Sequence, residues 1–138
     1  MRKILFRGKR LDNGEWLYGD LRQAPYFDGD TATYIMAPIP GSISSYINYP
    51  VDPSTVGQYT GLCDNKNGKK IFEGDIVKFT RINALGYTTR RTGDVRYYDK
   101  LPVFYIKATT GDAWDWCVCE DIEVIGNIHD NPELLEGE

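Results

Sequence analysis

Residues 56–79 read VGQYTGLCDNKNGKKIFEGDIVKF and combine turn signals with strand-like runs. Its Asn67-Gly68 pair separates two strand-like runs, and Asn-Gly is the strongest short hairpin signal because both residues tolerate the positive φ of a type I′ turn. Gly74 allows a sharp turn where a Cβ would clash, and the Asp75 side chain can accept bonds from nearby backbone N–H groups. The following run, Ile76 to Phe79, reads as a buried strand. We therefore predict that short strands joined by tight turns organise this part of the chain.

Further short strands are predicted on both sides of this stretch. Residues 3–21 are predicted to form a hairpin around Asp12-Asn13-Gly14. Residues 24–55 hold five of the seven prolines, which argues against an inner strand and predicts an irregular lobe with short strands at 31–37 and 44–49. The predicted strands from residue 58 onward are 58–62, 69–72, 76–81, 94–98, 103–107, 114–118 and 122–126. Close spacing between turn residues is typical of an all-β barrel or sandwich.

The connections carry their own signals. We predict one helical turn after Asp52, which can act as an N-cap before proline, and a short C-terminal helix after Asn131 for the same reason. Residues 83–92 are predicted to be a polar loop that carries Arg90 and Arg91. Gly-Asp pairs recur at 19–20, 29–30, 74–75, 93–94 and 111–112, and we interpret them as repeated turn chemistry.

Length and composition place the chain among intracellular globular domains. A chain of 138 residues fits one domain with a core of its own, and three cysteines agree with a reducing compartment. No apolar run approaches the ~18 residues that span a bilayer, so no membrane partner is expected. The start, MRKILFRGKR, has too short an apolar run for a signal peptide. We therefore expect a cytoplasmic protein.

Charge is distributed in blocks along the chain. The formal net charge is −4, but residues 1–23 carry +3, 24–64 carry −4, 65–107 carry +6 and 108–138 carry −9. Such blocks indicate separate acidic and basic faces, or one segment covering another. Many short strands also leave sheet edges that proteins usually cover, most often by symmetric association. We therefore expect a homo-oligomer, weakened by salt if the acidic blocks of one chain meet the basic blocks of the next.

Three segments together resemble the YopX family of phage and prophage proteins. They are MRKILFRGKRLDNGEWLYGDL at the N-terminus, the central stretch quoted above, and EDIEVIGNIHDNPELLE near the end. The resemblance implies one domain over 1–138, with an N-terminal β lobe at 1–55 and an SH3-like, partly open barrel portion at 56–138. It also implies a phage or bacterial source, and therefore a bacterial host cell. It implies no reaction, cofactor or catalytic residue.

A basic set with interleaved tyrosines is the candidate binding surface. Its members are Lys69, Lys70, Lys78, Arg81, Tyr87, Arg90, Arg91, Arg96 and Tyr98. Clustered cations beside aromatic rings are typical of nucleic-acid surfaces. The alternative is a solvated face, or a face that pairs with acidic blocks of the same or a neighbouring chain. Trp114 and Trp116, on one face of a predicted strand, could likewise stack bases or dock a peptide, but we interpret them as core residues.

Metal and catalytic interpretations are weaker. Zinc could draw on Cys63, Cys117, Cys119 and His129, but the spacing is wrong for common zinc sites, and buried cysteine on a strand explains these residues more simply. A carboxylate-rich stretch could gather magnesium, yet a solvated acidic face is the simpler interpretation; it contains Asp112, Asp115, Glu120, Asp121 and Glu123. No nucleophile or phosphate-loop motif occurs. We expect no metal, no cofactor and no enzymatic activity.

The sequence thus favours a non-enzymatic, self-associating interaction protein whose further partner is a phage or host protein. The alternative is a nucleic-acid-binding accessory protein that uses the basic, aromatic face. Nothing in the sequence identifies the partner or the process.

Overall fold

The computed structural model describes residues 2–25 and 31–136, apart from the side chain of Cys117. The fold is mainly β, as predicted: the strands form two sheets, and the helices within the described ranges are 3₁₀ turns of three or four residues. The chain divides into two compact units, Met1–Tyr59 and Thr60–Glu138. None of the helices within residues 2–25 and 31–136 has the length and apolar character that a membrane span requires.

The strands of the first unit are β1 (Phe6–Lys9), β2 (Trp16–Pro25), β3 (Thr31–Pro38), β4 (Tyr46–Pro50) and β5 (Gly57–Cys63), the last of which continues into the second unit. They pair in the antiparallel order β4-β3-β2-β1-β5. The predicted N-terminal hairpin is confirmed as β1 and β2. The Gly-Asp pair at 29–30 lies outside the described residues.

The proline-based prediction of an irregular lobe without inner strands was wrong. β3 is an inner strand between β2 and β4. The reason is placement, since Pro25, Pro38 and Pro50 each occupy the last position of a strand, where the missing N–H does not interrupt the ladder. The predicted turn after Asp52 is confirmed: its carboxylate accepts the Ser54 N–H at 3.0 Å, and Pro53 begins the 3₁₀ turn Pro53–Thr55.

Alternate residues of these strands form the core of the first unit. Ile35, Ala37 and Val51 are buried, and Leu17, Leu21 and other partly buried apolar side chains pack against them. Gly19 lies within β2 and not in a turn. The position requires glycine because a Cβ there would lie 2.0 Å from the Met36 carbonyl oxygen. Gly93 likewise lies within a strand. The Gly-Asp pairs at these two places therefore mark close strand approach, which corrects their interpretation as turns.

The strands of the second unit are β6 (Lys70–Phe72), which follows β5 in the first sheet, and β7 (Asp75–Ile82), β8 (Thr88–Tyr98), β9 (Val103–Ala108), β10 (Ala113–Asp115) and β11 (Cys119–Asn127). The last five form an antiparallel sheet in the order β10-β9-β8-β7-β11. Ile71, Val77, Phe79, Val95 and Ile106 are among the unit's core residues. The sheet does not form a closed barrel, since β10 and β11 remain at opposite edges.

Three local predictions fail for identifiable reasons. Arg90 and Arg91 lie on β8, because β7 and β8 stay paired up to Ile82 and Thr88 and leave only 83–87 as a turn. The run from Trp114 to Val118 is not one strand, since β10 ends at Asp115 and a 3₁₀ turn follows at Trp116–Val118. The predicted C-terminal helix is only a 3₁₀ turn, Pro132–Leu135.

The central stretch is confirmed in position but corrected in detail. Gly74 has φ 91°, and Asp75 accepts the Phe72 N–H at 2.7 Å, as predicted. Gly68 has φ 68°, whereas Asn67 is not among the described non-glycine residues with positive φ, so the turn is not type I′. Asp64 holds this turn instead, because its carboxylate accepts the N–H groups of Asn67 and Lys69 at 2.7 and 3.2 Å.

Candidate interaction surfaces

The predicted basic set does not form one surface. Lys78, Arg90, Arg96 and Tyr98 share the outer face of the second sheet by strand alternation. Arg81 and Arg91 project from the opposite face, where the core lies. Lys69 lies exposed just before β6 and Lys70 is its exposed first residue, and Tyr87 is exposed in the turn between β7 and β8. The proposed cluster is therefore split across two faces and two turns.

Acidic side chains of the same unit neutralise several of these cations. Arg90 lies 3.7 Å from Glu123, which also pairs with Lys66 at 3.5 Å. Arg81 lies 3.9 Å from Asp112. Arg90 also donates to the Asp121 carbonyl at 2.5 Å and to the Thr80 hydroxyl at 3.1 Å. The acidic C-terminal block thus covers part of the basic block within one unit, which is one of the arrangements that the charge pattern allowed.

Arg96 is paired within its own strand. Its Nε donates to Asp94 at 2.7 Å and its Nη2 at 3.4 Å, and Asp94 is buried. The Asp94 hydrogen bond, opposed by burial, raises the pKa of Arg96 above its ordinary value. Arg96 therefore adds little uncompensated charge to the outer face.

The tryptophans pack against the core, as predicted. Trp114 and Trp116 are partly buried and lie against the apolar cluster of the second unit. The Arg81 guanidinium stacks 3.6 Å from the Trp114 ring centroid, and the Trp114 Nε1 donates to Asp112 at 2.7 Å. Arg81, Trp114 and Asp112 form one packed group, so neither ring is a free stacking platform of the kind that single-stranded nucleic acid uses.

An open groove of about 460 Å³ lies on the outer face beside β10. Three strands and the turn after Tyr98 line it with apolar, aromatic and charged side chains. The lining residues are Arg96, Tyr98, Leu101, Val103, Tyr105, Lys107, Ala113, Trp114 and Asp115. Only Arg96 and Tyr98 were in the predicted set. The alternating run Val103, Tyr105, Lys107 on a predicted strand was the signal that could have located the rest.

A second surface lies at the free edge of the first sheet. β4 is the terminal strand of that sheet, and the apolar side chains at and before it are unusually exposed. They are Met36, Ile39, Ile43, Tyr46 and Ile47, with Ile43 fully exposed. This edge strand carries no lysine or arginine, and none occurs anywhere in residues 24–64. The net charge of −4 over residues 24–64 reflects this absence of cations, but it does not locate the edge.

The remaining candidates are dispersed. Cys119 is buried in the core of the second unit, as a small apolar residue would be, whereas Cys63 is exposed. Within the described ranges, no group of three or more His, Cys, Asp or Glu side chains is arranged to hold a metal ion.

Comparisons with known proteins agree with the three sequence segments. Residues 5–136 match the family model described as YopX protein. Protein EF1440 from Enterococcus faecalis, known from a crystal structure, is similar over 99% of this chain and 100% of its own, with 28% identity and a TM-score of 0.58. No curated protein matches significantly. Because the family model covers nearly the whole chain, this protein belongs to the YopX family.

Proposed function

We propose that this chain is a non-enzymatic interaction protein that associates with itself through the free edge of β4. The observation that carries the proposal is an open, uncharged edge strand surrounded by exposed apolar side chains. Edges of this kind are templates for pairing, and monomeric proteins usually protect them with charged residues. A second copy is the occupant that fits, because the edge is complementary to itself.

The backbone directions explain this complementarity. The Val51 N–H donates to the Thr33 carbonyl of β3, and the Ser45 carbonyl accepts from Ile39. Residues 45, 47, 49 and 51 therefore point their backbone groups toward β3, and alternation turns those of Tyr46 and Asn48 toward the free edge. The next outward carbonyl, that of Pro50, is already bonded to the Leu11 N–H. The open part of the edge thus centres on Ile47.

An antiparallel pair of β4 strands would place Ile47 opposite Ile47 of the second copy. Tyr46 would then lie opposite Asn48 in both halves, and each such pair would exchange two backbone hydrogen bonds. Asn48 Oδ1 is buried without a hydrogen-bond partner among the described residues, so the edge also contains an unsatisfied polar group. This two-fold arrangement is the closed, isologous contact most common in homodimers.

The affinity should be modest. Covering the exposed apolar side chains on two copies removes on the order of 1,000 Å² of surface, at the lower limit for specific interfaces. We expect a dimer with a dissociation constant in the micromolar range, about −8 kcal/mol. The contact lacks charged groups, so its strength should not fall with added salt.

Light scattering over a concentration series tests the proposal. The wild type should approach twice the 15.7 kDa chain mass at about 100 µM, at both low and high salt. Ile47→Lys should give a monomer, because like charges would oppose each other across the pair. Ile82→Lys is the matched control, since Ile82 is 43% exposed and Ile47 45%. A monomeric wild type, or a dimer that survives Ile47→Lys, would overturn the proposal.

Three finer features remain part of the proposal. An SH3-like arrangement of the second unit is supported by its five-stranded antiparallel order.

The proposal that the protein is phage-encoded and acts in the bacterial cytoplasm is supported by its membership of the YopX family. The absence of enzymatic activity is supported by the structural roles of buried Asp64, Asp75 and Asp94, each of which accepts hydrogen bonds from the backbone or from Arg96.

A further inference from the structure

We propose that the groove beside β10 binds an extended peptide from another protein, which adds to the second sheet as a strand antiparallel to β10. β10 is the terminal strand of that sheet. The Ala108 N–H donates to the Asp112 carbonyl at 2.8 Å, so residues 112 and 114 point their backbone groups toward β9. Ala113 therefore directs its N–H and carbonyl toward the free edge, and Asp115 directs its N–H there, while the Asp115 carbonyl accepts a hydrogen bond from Cys119 Sγ at 3.3 Å. Strand addition uses backbone groups of this kind for affinity and adjacent pockets for specificity.

The same two residues open onto the groove. Ala113 pairs with Lys107 of β9, and Asp115 pairs with Tyr105. All four line the groove, together with the apolar side chains of Leu101 and Val103. Because Ala113 is small, a ligand side chain opposite it can pass over its methyl group and reach the Lys107 ammonium. A longer residue at this position would close that path.

The charges of the groove specify the ligand. Lys107 Nζ donates to the Gly111 carbonyl and has no acidic partner among the described residues. The Asp115 carboxylate has no hydrogen-bond or ion-pair partner in the same set, and it does not cap the turn that follows it. Arg96, by contrast, is already paired with Asp94. The groove thus offers one cation, Lys107, and one anion, Asp115. Two ligand residues that are two positions apart would lie opposite Ala113, beside Lys107, and opposite Asp115.

These positions define a sequence pattern. In an antiparallel ligand the residue opposite Asp115 precedes the residue opposite Ala113 by two positions. We therefore infer that the ligand carries a basic residue opposite Asp115, then any residue, then an acidic residue opposite Ala113. In this chain only Arg10-Leu11-Asp12 has that spacing, and those two side chains are paired with each other at 2.6 Å. A second copy is consequently a poor ligand, and the occupant is a segment of a different protein.

A pair of capped heptapeptides tests the pattern, with Lys-Val-Glu at the centre of one and Gln-Val-Gln at the centre of the other. Titrated into labelled protein, the first should shift the NMR signals of Ala113, Asp115 and Lys107, and it should bind about fivefold or more tightly than the second. Methylating the backbone nitrogen of its Glu should abolish binding, because the hydrogen bond to Ala113 is lost. No shift at about 1 mM peptide, or equal affinity of the two peptides, would overturn the proposal.

Matched variants separate this site from the general charge of the unit. Lys107→Met should remove the preference for the charged peptide, whereas Lys100→Met, the same change on an exposed turn residue, should not. Ala113→Ile should block binding and leave the melting temperature unchanged or higher, since a β-branched residue suits a strand. The same titration shows whether a second copy of this chain occupies the groove. In that case the apparent affinity for the peptide would fall as the protein concentration rises, and this result would also overturn the proposal.

Discussion

At the residue scale, Asp64 joins two distant parts of the second unit. Its buried carboxylate accepts the N–H groups of Asn67 and Lys69 from its own turn, and that of Val124 from β11 at 3.1 Å. The next residue continues the link, because Asn65 and Ile122 exchange two hydrogen bonds of 2.9 Å. Backbone donors therefore take the place of a counter-ion for the Asp64 carboxylate. They hold the turn at residues 64–69 against β11, which is an edge strand of the second sheet.

We predict that Asp64→Asn lowers the free energy of unfolding by about 2–3 kcal/mol, because the amide has one acceptor oxygen and its NH₂ group faces backbone donors. Urea denaturation of the purified protein measures the change. Asp99→Asn, at an exposed turn position, is the control and should stay within about 0.5 kcal/mol of the wild type. Equal midpoints for Asp64→Asn and the wild type would remove Asp64 from this role.

The same comparison has a pH dependence. Burial alone would raise the pKa of Asp64, but the backbone donors of Asn67, Val124 and Lys69 outweigh it and hold the pKa below its ordinary value of 3.8. A depressed pKa in the folded state adds stability above the unfolded pKa, and this stability is lost as pH falls through the folded pKa. The difference between wild type and Asp64→Asn should therefore be full at pH 7 and shrink below about pH 4.

At the element scale, the sequence predicts the positions of strands better than it predicts on which face of a sheet each side chain lies. Hairpin and turn positions follow from local chemistry, so Gly74, Asp75 and the Asp52 cap were found. The geometry at Asn67 was not, because the turn depends on the Asp64 carboxylate, which accepts the N–H groups of Asn67 and Lys69. Likewise, the local polarity of residues 88–92 suggested a loop, while pairing with β7 makes them strand. Long-range pairing decides this second case, and composition alone does not encode it.

The same limit applies to the candidate surfaces. The sequence predicts that Arg90 and Arg91 lie together on one polar loop. Both residues lie on β8, where consecutive side chains point to opposite faces. The edge of β4 and the groove beside β10 depend on strand order, which no short motif reveals. What the sequence did supply was the absence of cations from residues 24–64, and this feature distinguishes the β4 edge.

Arg90 supports the irregular part of β11. It donates to the carbonyl of Asp121, a residue with φ 49° where the pairing of β11 with β7 shifts register, and it lies near Glu123. We predict that Arg90→Ala lowers stability by about 1–2 kcal/mol, most of it from the lost carbonyl bond, since an exposed ion pair contributes little. Lys78→Ala, on the same face of the adjacent strand, should cost less than about 0.5 kcal/mol. Equal losses in urea melts of the two variants would refute this role.

At the scale of the whole molecule, charge blocks that look separate along the sequence meet in the fold. The acidic block at 108–138 supplies Asp112 and Glu123, and these pair with Arg81, Arg90 and Lys66 of the basic block. Three cations of the set that suggested a nucleic-acid surface, Arg81, Arg90 and Arg96, thus have acidic partners in the same unit. The separation of charge along the sequence therefore gives ion pairs within one unit, whereas the β4 edge carries no charged side chain.

This neutralisation predicts that the protein does not bind nucleic acid. Fluorescence anisotropy at about 10 µM protein and low salt should show no binding of single- or double-stranded DNA or RNA. A surface that neutralised ~3–5 phosphates would instead bind, and log K would fall with log salt at a slope of roughly −2 to −5. The double variant Asp112→Asn with Glu123→Gln releases the paired cations and should gain weak, salt-dependent binding. Tight, salt-sensitive binding by the wild type would contradict the prediction, and so would a double variant that stays silent, because masking by the acidic block would then not be the reason.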